Sequence, residues 1–145
     1  MSAHRAQSLQ LAVDLMAATT ITTAVSASTT TPLTALAAME TVTLEAIFTY
    51  GSGGTSTDAW VQTSLDQGAT WIDICNVHYT TSSAKTVYNL SSLTPVTTAY
   101  TPTDGTLSAN TSKDGILGDR LRVKYTTVGT YAGGTTLQIA VVVKS

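Results

Sequence analysis

The sequence predicts an all-β protein: an antiparallel β-sandwich, jelly-roll-like or immunoglobulin-like, with an N-terminal extended arm. Three observations predict it. Apolar residues recur with a period of two in several short segments, the spacing that sends alternate side chains to one face of a strand. Turn formers punctuate those segments at short intervals, among them GSGG at 51–54, Asp66-Gln67-Gly68, Asp104-Gly105, Asp114-Gly115 and Gly133-Gly134. Threonine supplies roughly a fifth of the chain, far above its usual share, and its β-branch favours strands over helices.

The elements follow in chain order. In residues 8–16, Leu9, Leu11, Val13 and Leu15 alternate with Gln10, Ala12 and Asp14. The residue types tolerate a helix, but the alternation favours a strand. Residues 17–31 form an Ala/Thr/Ser tract with isolated Ile21 and Val25, too little apolar mass for a core of its own. This tract is expected to order against the main domain or a neighbouring subunit. Pro32 follows, then LTALAAME, a short helical turn or edge segment. Residues 1–40 are thus read as an arm or assembly segment that reaches onto neighbours, and 41–145 as the sandwich; deleting residues 1–31 is expected to abolish docking but leave a folded domain.

Residues 41–50 give the clearest early strand. Val42, Leu44, Ala46, Phe48 and Tyr50 share one face, and Thr41, Thr43, Glu45, Ile47 and Thr49 the other. Further strands are expected at 58–63, 70–79 and 85–91. Pro95 and Pro102 bracket an edge strand or extended loop. Residues 103–118 read as a long surface loop, and long ordered loops are often functional. The chain is expected to close with a hairpin, 119–128 and 136–144 joined by GTYAGGT. Leu121, Val123 and Tyr125 oppose Arg120, Arg122 and Lys124 in its first strand, a small basic stripe able to pair with an acidic neighbour.

One motif stands out. Ser64-Leu65-Asp66-Gln67-Gly68-Ala69-Thr70-Trp71 matches S-x-D-x-G-x-T-W and resembles the Asp-box hairpin that recurs in sialidase propellers. Asp accepts hydrogen bonds from turn N–H groups, Gly68 permits positive φ, and Thr70 and Trp71 resume the strand. Sialidase chemistry needs several boxes and an arginine cluster, so the motif specifies a hairpin rather than a reaction. If Leu65 pairs with Thr70, Trp60 falls opposite Cys75 and Gln62 opposite Asp73. Trp60, Gln62, Trp71, Asp73, Cys75, Val77 and Tyr79 then share a face suited to an interface, and Val61, Thr63, Leu65, Ile72 and Ile74 form the core face.

Charge narrows the function classes. Only 7 residues are Lys or Arg and the net charge is −2, so the dense cationic footprint of direct nucleic-acid binding is missing. Charged residues make up 11% of the chain, against about 25% in ordinary domains, which favours association with neighbours without charge conflict. Cys75 is the sole cysteine, read as a small buried hydrophobe, so no internal disulfide forms. No apolar run approaches the roughly 18 residues of a membrane helix, and the polar N-terminus begins no signal region, which predicts a soluble protein made in the cytoplasm. His4 and His78 lack ligand-spaced partners. Asp66, Asp73, Asp104, Asp114 and Asp119 are oxygen donors of the kind calcium takes, but backbone turn geometry accounts for those beside glycine. No catalytic residue, metal or cofactor is expected, and the chain is read as non-enzymatic.

The stretch TVTLEAIFTYGSGGTSTDAWVQTSLDQGATWIDI, with TPTDGTL and DGILGDRLRVKYTTVGTY, is similar to small uncharacterised proteins of the structural-gene modules of tailed bacteriophages and prophages. The likeness covers roughly 41–143 and is weakest over the arm. It implies a virion component assembled in the host bacterial cytoplasm, with no known site residues to carry over. The expectation is a capsid decoration or cement protein that stabilises the head, partnered by the major capsid protein or other virion subunits, and itself a homo-oligomer, for example a trimer. The alternatives are a neck, collar or tail component, or a glycan-binding module for host attachment. In the last case Trp60, Trp71 and Tyr79 would be stacking platforms, and with Arg120 and Arg122 they are also the interface candidates.

Overall fold

The computed structural model describes residues 10–145. Among them there is no helix. The strands are β1 (Gln10–Thr20), β2 (Val25–Thr29), β3 (Thr41–Thr49), β4 (Ser52–Gly53), β5 (Ser56–Thr63), β6 (Ile72–Tyr79), β7 (Ala84–Ser91), β8 (Leu121–Val128), β9 (Tyr131–Ala132) and β10 (Thr136–Lys144). Two four-stranded antiparallel sheets, ordered β1-β10-β3-β7 and β2-β8-β5-β6, pack as a sandwich, and β4 pairs with β9 in a small third sheet. The expected all-β sandwich is the fold.

Alternation builds the core. In β3, Val42, Leu44, Ala46 and Phe48 are buried, and in β10 so are Leu137, Ile139, Val141 and Val143. These two strands form the middle of one sheet in unbroken register, from Thr136 opposite Thr49 to Lys144 opposite Thr41. Val61, Ile74, Val77, Leu121 and Val123 reply from the other sheet. An aromatic cluster closes one end. Phe48 stacks on Tyr79 with centroids 4.9 Å apart, and Tyr131 meets Phe48 edge-on at 5.8 Å and donates its hydroxyl to the Thr80 carbonyl at 2.7 Å.

Three expectations change. The C-terminal hairpin is absent: β8 lies beside β5 and β2, whereas β10 lies beside β3 and β1. GTYAGGT reverses the chain but carries it across the sandwich, because Tyr131 is drawn into the aromatic cluster and pairs with Gly53. Second, β5 and β6 form the expected hairpin with Gln62 opposite Asp73, but Trp60 faces Asn76 and Val61 faces Cys75. Ile74 is an extra residue at a β-bulge, which shifts the phase of everything beyond it. Ala59, Val61, Cys75, Val77 and Tyr79 therefore point into the core, and Trp60 lies on the opposite side with Gln62, Asp73 and Asn76.

Third, residues 10–39 are built into the sandwich. β1 pairs with β10 and β2 with β8, so each sheet takes one margin from this segment. Leu15, Met16, Ile21, Leu36 and Met39 are all buried in the core. Of the two surfaces the Ala/Thr tract was expected to order against, it is seated on the main domain. A segment that buries five apolar side chains is not removable without exposing the core they cover. Residues 1–9, including His4 and Leu9, lie outside the described residues.

Candidate functional site

The hairpin motif and the 103–118 loop meet on the outer face of the β2-β8-β5-β6 sheet. At the hairpin tip, Ser64 Oγ donates to Asp66 Oδ1 at 2.9 Å and accepts from the Gly68 N–H at 2.8 Å. Asp66 also accepts from the Thr70 N–H at 2.8 Å and from Thr70 Oγ1 at 2.5 Å. Gln67 and Gly68 sit at φ 60° and 92°, the left-handed conformations that let the chain turn under the carboxylate. The Thr70 and Ser64 hydrogen bonds hold the Asp66 carboxyl down at about 2.

Behind the tip lies a polar chain. The Arg122 guanidinium stacks over Trp71 at 4.3 Å, and its Nε donates to Gln62 Oε1 at 2.8 Å. Gln62 Nε2 is shared between Asp73 Oδ1 at 2.8 Å and Asp104 Oδ1 at 2.7 Å. Lys124 Nζ reaches Asp104 Oδ1 at 2.6 Å. Arg120 pairs with its neighbour Asp119 at 3.0 Å, a bond that raises the guanidinium pKa and lowers the carboxyl pKa. The basic stripe is thus engaged within the chain.

Asp73 organises the loop. Only 1% exposed, it accepts from Thr103 Oγ1 and from the backbone N–H groups of Gly105, Thr106 and Leu107, all within 3.1 Å. Trp60 Nε1 donates to the Leu107 carbonyl, and Asn76 Oδ1 accepts from the Asn110 N–H. Backbone bonds from Asp73 to Thr103, from Asn76 to Thr111 and from Lys113 to Ile74 lay the loop along the open side of β6. The expected surface loop is a strap fastened by the sheet it crosses.

This arrangement decides the fate of the singled-out aromatics. Trp60 is 9% exposed under the strap, and Tyr79 is 5% exposed against Phe48 with its hydroxyl on Thr86, so neither offers a free ring to a sugar. Trp71 is half-buried, with Arg122 on its ring. Ser64 and Thr63 are buried at the base of the hairpin. Sequence reasoning found Gln62 and Asp73 as a pair but missed Asn76 and the strap's N–H groups. The Asp104-Gly105 turn was the available signal.

The remaining titratable groups are spread out. Asp114 accepts from the Ser91 N–H and from Thr94 Oγ1, which lowers its pKa. His78 Nδ1 meets Asp58 Oδ1 at 2.9 Å. Burial pushes the Cys75 thiol up to about 12, so it persists as an unreactive thiol. Among the described residues no three His, Cys, Asp or Glu side chains converge to hold a metal ion.

A shallow apolar cleft of about 270 Å³ opens between the hairpin tip and the strap, lined by Leu65, Ile72, Val96, Tyr100, Pro102 and Ile116. Leu65 is 64% exposed at its rim. The Tyr100 hydroxyl is buried without a hydrogen-bond partner, while Lys113 lies over the ring at 5.1 Å. No family model, curated protein or solved structure matches the chain.

Proposed function

We propose that this protein is a structural subunit of a bacteriophage virion, bound in many copies as a decoration or cement protein of the head. The observation that carries the reading is the outer face of the β1-β10-β3-β7 sheet, where apolar and threonine side chains predominate. Thr41, Thr43, Ile47, Ala140 and Val142 lie side by side there, with Val87 beside them on β7, and Asp14, Glu45, Lys85 and Lys144 are the charged residues set among them. Such a face offers neighbouring subunits apolar and hydroxyl surface with charges of both signs, for which a docked neighbour must supply partners. The saturated polar chain under the strap supports the same reading, since its side chains are spent on holding shape.

The mechanism is mass action. A subunit that binds only the assembled shell stabilises it by the free energy of docking, multiplied over symmetry-related sites. The partners are the major capsid protein or other virion subunits.

Quantitative mass spectrometry and electron microscopy of purified particles test this. A decoration protein appears on the order of hundreds of copies spread over the shell, and a neck or tail component in about a dozen at one vertex. Its absence from particles eliminates the proposal.

A further inference from the structure

A strand at a sheet margin exposes unpaired backbone groups unless something blunts it. Four strands occupy the margins of the two main sheets: β1, β7, β2 and β6. β1 is bent by register shifts between Asp14 and Met16 and between Met16 and Thr19. β2 has five residues, a shift between Val25 and Ser28, and Ala27 at φ 51°. β6 is covered by the strap. β7 has none of these devices. It pairs with β3 through eight consecutive positions, from Thr41 opposite Ser91 to Phe48 opposite Ala84, without a bulge.

The outward groups can be named. Just beyond β7, the Ser92 N–H donates to the Glu40 carbonyl at 2.8 Å. Hydrogen-bonded and non-hydrogen-bonded pairs alternate in an antiparallel ladder. Leu90, Tyr88, Thr86 and Ala84 therefore bond to β3, and Ser91, Asn89, Val87 and Lys85 turn their N–H and C=O groups to the open side. Asp114 caps the Ser91 N–H at 2.7 Å. Among the described residues, no hydrogen bond occupies the outward backbone groups of Lys85, Val87 and Asn89.

We propose that β7 is the surface at which a second copy of this chain adds, antiparallel, joining two β1-β10-β3-β7 sheets into one eight-stranded sheet. The two-fold pairing that uses all three open positions is centred on Val87. It sets Lys85 beside the partner's Asn89, a neutral hydrogen-bonding neighbour, and Val87, 62% exposed in the single chain, against the partner's Val87. The two Lys85 residues then stand four positions apart, about 13 Å, so no like charges face each other. The contact is self-complementary and closes at two copies. This deepens the assembly reading above by naming the first neighbour.

The test uses the full chain. Sedimentation should give a dimer. In a hydrogen-bonded antiparallel pair the Cα atoms are about 5.5 Å apart, within disulfide reach. Val87→Cys should therefore yield a covalent dimer under mild oxidation, while Asn89→Cys, with its copies about 13 Å apart, should not. The buried Cys75 does not compete. Val87→Pro removes only an N–H that β3 does not use, and Val87→Asp sets two carboxylates on the axis. Each should sediment as a monomer, at least one with an unchanged circular dichroism spectrum. A wild-type monomer at every concentration overturns the proposal, as does cross-linking of Asn89→Cys to the same extent as Val87→Cys. Either result leaves the copy number on particles untouched, so the two readings fail separately.

Discussion

Gln62 and Asp73 stand opposite each other on β5 and β6, and the Gln62 amide donates to the Asp73 carboxylate at 2.8 Å on the side of the sheet away from the core. A sheet face holding fully buried Gln, Asp and Asn needs a cover that supplies hydrogen bonds, because a buried polar group without one is costly. The strap supplies them from its backbone. The sandwich therefore has two interiors, an apolar one between the sheets and a polar one between β5-β6 and the strap.

Asp73→Ala should release the strap. It leaves the Gly105, Thr106 and Leu107 N–H groups without their acceptor, and the Gln62 amide with only one of its two, Asp104. Hydrogen bonds to charged groups are worth about 1.5–3 kcal/mol each but add poorly within one network, so a loss of about 3 kcal/mol is expected in urea unfolding. Hydrogen exchange should speed up at residues 105–107 while β3 and β10 stay protected. Uniform protection in the variant would show that Asp73 does not fasten the strap.

How much of this the sequence discloses depends on the kind of signal. β3 and β10 are legible because each keeps strict alternation and buries one whole face. The Gln62–Asp73 pair is legible because the hairpin motif fixes the register nearest the turn. Past Ile74 the register is hidden, since an extra residue at a bulge leaves no mark in composition. The role of residues 10–39 is hidden for a different reason. Leu15, Met16, Ile21, Leu36 and Met39 follow neither period, because shifts in β1 and irregular backbone aim them inward one at a time. The strap is the least legible, because its working groups are backbone N–H groups that any sequence carries.

Removing residues 1–31 should prevent folding rather than leave a free domain. The truncation takes β1 and β2 from the margins of the two sheets and Leu15, Met16 and Ile21 from the core. The subtler Met16→Ala should cost about 2–5 kcal/mol by thermal or chemical unfolding, as buried large-to-small changes do. A truncated chain with cooperative unfolding and wild-type strand content would return the segment to the status of a detachable arm.

The hairpin tip should respond to acid in a defined window. Asp66 has its folded pKa lowered from 3.8 to about 2. A lowered carboxyl pKa stabilises the fold fully above the unfolded value and loses that contribution as pH falls through the folded one. The tip is therefore expected to be intact from neutral pH down to about 4 and to loosen between about 4 and about 2. Carboxyl-carbon NMR should place the Asp66 midpoint near the lower end. Asp66→Asn should remove that transition and speed amide exchange at Thr70, whose N–H the carboxylate accepts. A midpoint near 3.8 would mean that the Ser64 and Thr70 bonds do not persist in solution.

Two glycines near turns should differ sharply when changed to alanine. A Cβ on Gly118 would lie 1.8 Å from the Ser64 carbonyl oxygen, where the chain leaving the strap crosses the base of the hairpin. The Gly118 N–H also donates to Thr63 Oγ1 at 2.8 Å, so the backbone cannot retreat without breaking that bond. A Cβ on Gly134 would meet nothing within 4 Å, although the residue sits at φ 79°. Gly134→Ala should cost only the left-handed strain, about 1–2 kcal/mol. Gly118→Ala must displace backbone from backbone and should cost about 3 kcal/mol or more, at the upper end for overpacking. Midpoints from parallel urea titrations decide it. If both variants lose the same stability, the hairpin base has slack, and the close approach of Gly118 to Ser64 is not a constraint on the fold.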